Sequence, residues 1–182
     1  MKMMIASDIH GSAHWCRRLI EAYRASGADR LLLLGDLLYH GPRNDLPEEY
    51  APKQVIELLN GMKDELFCVR GNCEAEVDQM VLQFPVMADY CILPWGKRMI
   101  YATHGHKHGE HNPLPLAKGD YLLCGHTHIP ACNVHEGFTY LNCGSVSIPK
   151  NSTPHSCMLL EENALRWMDL ATGGIYREET LI

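Results

Sequence analysis

The 182-residue chain is predicted to be an α/β protein, a layered sandwich around central mixed β-sheets with flanking helices. Short apolar runs alternate with longer segments of helical period, and six of the runs pass at their downstream ends into Gly, Ser, Asp, Asn, Thr or His. From about Ser156 onward the pattern changes to short runs separated by turn-like residues, which predicts an antiparallel close to the sheet.

The first run, "MMIASDIH", is followed by Ser12, a suitable N-cap for a helix burying Trp15, Leu19, Ile20 and Tyr23 and stopping at Gly27. "LLLLGD" is the second run, and Pro52 then opens a helix with Val55, Ile56, Leu59 and Met62 on its buried face. After "LFCVRGN" the spacing of Val77, Met80, Val81 and Phe84 predicts a third helix ending before Pro85, with that stripe in the core. "MIYATHGH", "YLLCGHTH" and "YLNCGSVS" complete the six polar-ended runs. "SCMLLEEN", "ALRWMDL" and "GGIYREE" are the closing strands, turned at Asn163 and at Gly173 and Gly174.

Residues 1–182 fit one domain, large enough to bury a core without covalent staples. A net charge of -6 without a Lys/Arg block leaves no footprint for duplex nucleic acid, and an anionic substrate would need local positive charge, which bound divalent cations supply. The eight cysteines form no CxxC pair and are read as reduced thiols. No run reaches the length of a membrane span and the N-terminal apolar stretch is too short for a signal peptide, so a cytoplasmic location and no membrane partner are expected. A homo-oligomer is compatible with the sequence.

In open α/β sheets ligands bind beyond the carboxyl ends of the strands, and the segments after the runs hold Asp8, His10, Asp36, Asn72, His104, His126 and His128. Two of these pairs are separated by one residue. Side chains one residue apart in an extended segment lie on the same face, so Asp8 and His10 point the same way, as do His126 and His128. The set offers N and O donors suited to borderline divalent metals such as Mn, Fe or Zn. Seven ligands serve two ions when one carboxylate is shared, and Asp36 is the natural bridge.

The motifs "SDIHG", "LLGDL", "RGNCE", "THGH" and "GHTH", in that order, resemble those of the calcineurin-like metallophosphoesterases. With "HGPRN" and "GSVSIPK" the chain closely resembles their small bacterial YfcE-type phosphodiesterases. The resemblance implies one metal held by Asp8, His10, Asp36 and His128 and a second held by Asp36, Asn72, His104 and His126. It implies two divalent ions, with Mn favoured and Fe, Zn or Ni as alternatives, and a small phosphoester substrate attacked by water. A phosphomonoesterase, or a non-catalytic scaffold of the same fold, are the competing readings.

Further residues are singled out. Many members of the family carry a histidine after the Gly-Asn pair as acid for the leaving group, whereas this chain has Cys73, a weaker acid. His40, His106 and His108 are alternative acids by position. Arg70 has a donor fork suited either to a phosphate oxygen or to an ion pair on the sheet rim. Ser7, Ser145 and Ser147 fit no G-x-S-x-G elbow and are read as turn formers.

Overall fold

The structure is a computed structural model that describes residues 2–181. Along the chain it runs β1 (Lys2–Ala6), α1 (Ala13–Ser26), β2 (Arg30–Leu33), α2 (Pro52–Asn60), β3 (Leu66–Cys68), α3 (Glu76–Val81) and β4 (Tyr90–Trp95). It continues with β5 (Arg98–Thr103), β6 (Asp120–Cys124), β7 (Ala131–Val134), β8 (Phe138–Asn142), β9 (Ser156–Glu161), β10 (Ala164–Asp169) and β11 (Ile175–Thr180).

The strands form two sheets, ordered β11-β10-β9-β1-β2-β3 and β4-β5-β6-β8-β7. The six polar-ended runs become two parallel triplets, β1 with β2 and β3, and β5 with β6 and β8. The closing strands pair antiparallel, with β9 joining the close to β1.

Alternation along β1 shows how the layers are filled. Met3 and Ile5 face Ile100, Leu123, Leu141 and Trp167 in the core between the sheets, while Met4 and Ala6 face α1 and α2 on the other side. Each large side chain removed from water in this way contributes about 1.5–3 kcal/mol. Trp167, fully buried between the sheets, donates its Nε1–H to the Asn142 carbonyl at 2.8 Å, so no polar atom of the ring is left unpaired.

The first helix is capped as its sequence predicts: Ser12 Oγ accepts the Trp15 N–H at 3.2 Å, and Gly27 closes the helix at φ +67°. In α2, Val55 and Leu59 are buried behind Pro52. The third helix corrects the expectation. It ends at Val81, and Val77, Met80 and Val81 are exposed, Met80 by 83%, whereas Leu82 and Phe84 beyond its end are buried. The apolar period ran through a helix of 6 residues into an extended segment, so the stripe does not share one face.

Two strands carry no clear signal in the sequence. β4 is an edge strand containing Pro94, with alternate residues exposed, and β7 is a half-exposed edge of four residues. Among the described residues no helix is long and apolar enough to cross a membrane.

Candidate metal centre

The parallel triplets end on one rim, where the loops after β1, β2, β3, β5 and β6 bring all seven polar candidates near each other. They do so by a different route from the extended segments expected. Asp8, His10, Asp36, His126 and His128 have φ of 61°, 48°, 55°, 63° and 63°, the left-handed region that L-residues rarely adopt. β1 ends at Ala6 and β6 at Cys124, so the Asp8/His10 and His126/His128 pairs converge through successive left-handed turns and not through strand alternation. Holding these five residues there costs of order 1–3 kcal/mol each, which the surrounding structure must offset.

The imidazoles are oriented by backbone carbonyls. His10 Nδ1 lies 2.7 Å from the Tyr39 oxygen, His104 Nδ1 2.6 Å from the Leu34 oxygen and His128 Nδ1 2.6 Å from the Ile148 oxygen. A ring that donates Nδ1–H presents Nε2 as a bare lone pair. These nitrogens converge with other nitrogen and oxygen atoms: His10 Nε2 is 3.3 Å from His128 Nε2, and His104 Nε2 is 3.2 Å from His126 Nδ1 and 3.1 Å from Asn72 Oδ1.

Carboxylates close each group. Asp8 Oδ1 lies 3.4 Å from His10 Nε2 and 3.2 Å from His128 Nε2, and Asp36 Oδ2 lies 3.7 Å from His10 Nε2 and 3.4 Å from His104 Nε2. Asp36 Oδ2 is therefore shared by both groups. Asp8–His10–His128 and Asp8–Asp36–His104 each place one donor atom per residue within 4.8 Å of the others. A third such triad, His10–Asp36–Cys73, brings in the thiol that the sequence marked as a departure.

The electrostatics fit a cation. Burial would raise the Asp8 carboxyl, yet its contacts with His10 and His128 and the charge of His104 hold it well below the usual carboxylate range. Burial would lower His104, but Asp36 and Asp8 push it up to about 9. Burial and the nearby His104 hold His126 down at about 4, so that ring stays neutral with its nitrogen free. Asp8 Oδ1 is buried with no hydrogen-bond partner among the described residues. In place of the proton that His104 carries at neutral pH, a divalent metal would meet a converging set of oxygen and nitrogen donors of the type it prefers.

Sequence reasoning missed the residue that holds this geometry. Glu74, only 4% exposed, accepts the backbone N–H groups of Asp36 at 2.9 Å, Leu37 at 2.7 Å and Gly71 at 2.5 Å. Its signal was present as the acidic residue after Gly71, Asn72 and Cys73, but nothing in one sequence says where its carboxylate goes. Gly71 is equally constrained, because a Cβ there would overlap Asp36 Oδ1 and the Asp36 amide.

The other candidates divide. Arg70 donates to the Glu74 carbonyl through Nε at 3.2 Å and Nη2 at 3.0 Å and lies outside the lining of the central cavity, so its fork serves its own loop. Cys73 lines the cavity, its N–H donates to Asp36 Oδ1 at 2.9 Å, and burial together with Asp36 pushes its thiol far up. His106 packs against His104 and His126 but lines a neighbouring recess, while His40 and His108 line neither. Ser145 and Ser147 donate to the Asp8 carbonyl at 3.1 and 3.0 Å, which fixes the turn and leaves neither as a nucleophile. All eight cysteines are free.

The cavity over the centre has a volume of about 420 Å³ and is lined by His10, Asp36, Asn72, Cys73, His126 and His128, together with Arg43, Thr127 and Lys150. Residues 1–164 match the calcineurin-like phosphoesterase superfamily domain. The chain belongs to that superfamily. It is 46% identical over 165 residues to phosphodiesterase YfcE of Escherichia coli, covering 91% of this chain and 90% of that one. A solved structure of YfcE, described as a phosphoesterase from E. coli, superposes with a TM-score of 0.96 at 43% identity over the full length of both chains. A Bacillus subtilis protein described as a probable metallophosphoesterase, YsnB, is 26% identical over 182 residues, or 94% of this chain and 92% of its own.

Proposed function

We propose that the protein is a metal-dependent phosphodiesterase that hydrolyses small or activated phosphodiesters at a dinuclear centre. The observation that carries this reading is Asp36 Oδ2, which faces His10 on one side and His104 on the other. Asp8, His10, Asp36 and His128 would hold one ion, and Asp36, Asn72, His104 and His126 the second.

When bound, two divalent cations supply Lewis acidity that activates water and neutralises charge on the phosphoryl oxygens. The chain's own residues do the rest. Carbonyls of Tyr39, Leu34 and Ile148 fix the tautomer and tilt of three imidazoles before any ligand arrives, so no reorganisation is needed at the moment of reaction. Asn72 is exposed at the cavity edge and its amide contributes an uncharged oxygen next to His104.

Mn is the proposed native ion, because the donors are oxygens and imidazole nitrogens with the one nearby thiol kept protonated. The substrate is a small molecule; duplex nucleic acid is not a partner in this reading, and the site of action is the cytoplasm. Purified protein stripped of metal and reloaded with Mn should hydrolyse bis(p-nitrophenyl) phosphate faster than p-nitrophenyl phosphate. Two bound ions with no turnover on a broad panel of phosphoesters would refute the assignment.

A further inference from the structure

Arg43 and Lys150 line the cavity, and neither side chain has a hydrogen-bond or ion-pair partner among the described residues. Arg43 is unlike the other arginines in this. Each of those donates to a carboxylate or a carbonyl: Arg17, Arg24, Arg166 and Arg177 to glutamates, and Arg18, Arg30, Arg70 and Arg98 to backbone oxygens.

The loops that present these two cations are firmly held. Asn44 Nδ2 donates to the His40 carbonyl at 2.8 Å and the Asn44 N–H to the Gly41 carbonyl at 3.3 Å, closing a turn around Arg43. That turn packs against the centre, since a Cβ on Gly41 would lie 3.6 Å from Cys73 Sγ. On the His128 side, the Lys150 N–H donates to the His128 carbonyl at 3.3 Å. The Lys150 carbonyl accepts from Thr153 N–H at 3.1 Å and Thr153 Oγ1 at 2.7 Å, across Asn151 and Ser152 at φ 53° and 56°.

Charge decides what belongs between them. Asp36 is the one carboxylate in the cavity lining among the described residues, and with buried Asp8 and Glu74 behind it, it sets three negative charges against the four positive charges of two divalent ions. A diester brings a single negative charge. Arg43 and Lys150 then add two unbalanced positive charges at a site built into a chain of net charge -6. Both side chains are exposed, and two positive charges lining one cavity are stabilised when an anion reaches both. A guanidinium fork and a mobile ammonium together suit the oxygens of a phosphate dianion. A cavity of about 420 Å³ has room for a small diester with one such group.

We propose that Arg43 and Lys150 bind a second, non-reacting phosphate on the alcohol portion of the substrate, so that the preferred substrate is a phosphodiester whose alcohol is itself phosphorylated. This rests on the phosphodiesterase reading above.

The test uses the Mn-loaded full chain and two substrates that differ by one phosphate: thymidine 5'-(p-nitrophenyl phosphate) with and without a 3'-phosphate. The phosphorylated substrate should have a KM about tenfold lower or better, and the double variant R43M/K150M should bring that ratio below about twofold. Calorimetry should show the same loss in binding of thymidine 3',5'-bisphosphate relative to thymidine 5'-phosphate. A wild-type protein without the preference, or a preference that survives in R43M/K150M, overturns the inference while leaving the phosphodiesterase assignment intact. Failure on both diesters while bis(p-nitrophenyl) phosphate is hydrolysed overturns the inference alone, and failure on all three overturns both.

Discussion

The carboxylate of Glu74 accepts the Asp36 amide proton at 2.9 Å, and through its bonds to Leu37 and Gly71 it ties the loop after β2 to the loop after β3. Asp36 and Asn72 come from those two loops, so their separation depends on a side chain that touches neither of their functional oxygens. Burial and the charge of Asp36 raise the Glu74 carboxyl, and the three N–H bonds oppose that rise.

Removing this tie should be costly. Glu74→Ala leaves three buried donors unpaired, at about 1–3 kcal/mol each before relaxation, and is expected to destabilise the metal-free protein by about 3–5 kcal/mol in urea unfolding. Glu74→Gln keeps an acceptor oxygen and should lose about half as much. Equal losses in the two variants would show that side-chain packing, not hydrogen bonding, is what Glu74 provides.

Asp36 can be tested by counting ions. If Oδ2 serves both, Asp36→Asn weakens both sites at once, whereas His10→Ala and His126→Ala each weaken one. Elemental analysis after Mn loading and desalting should then find fewer ions on the Asp36→Asn protein than on either histidine variant. Equal metal content in all three would contradict the bridge.

These features differ in how visible they are in one sequence. Polar residues after apolar runs were enough to place Asp8, Asp36, His104 and His128 on one rim, because hydrophobic burial forces strand ends into register in a parallel sheet. The left-handed backbone at Asp8, His10, Asp36, His126 and His128 was not visible, since intrinsic preference runs against it and only tertiary contacts hold it. The same limit applied to α3. Val77, Met80 and Val81 have helical period, but the short helix ends before Phe84, and the burial of Leu82 and Phe84 is set by neighbouring layers. β4 was hidden by Pro94, which an edge strand tolerates.

Metal removal should be visible in stability as well as in rate. Lone pairs of His10, His128 and Asp8 that converge in the folded chain separate on unfolding, so a cation binds the folded state in preference. At a free concentration of 100 times Kd this adds about 2.7 kcal/mol, which for a chain of this size raises Tm by about 5–10 °C. Differential scanning calorimetry with excess chelator and then with Mn measures it. A Tm indifferent to Mn would mean that the site is not preformed in the way these distances indicate.

The last prediction concerns the leaving group. Of the side chains around the cavity, Cys73 occupies the position after Gly71 and Asn72 where the family resemblance places an acid, yet burial and the charge of Asp36 drive its thiol away from ionisation. An acid so reluctant to release its proton gives little help to a departing alkoxide, and neither His40 nor His108 reaches the cavity to replace it. Rates should therefore track the leaving group's own stability. Across a series of substituted phenyl diesters, kcat is expected to fall by about 100-fold or more from nitrophenyl to unsubstituted phenyl, the size of contribution that a positioned acid makes. Cys73→Ser should leave the slope of that series almost unchanged, because the backbone N–H to Asp36, which serine retains, is the contact that matters. A shallow dependence in the parent protein that steepens in Cys73→Ser would instead make the thiol the proton donor.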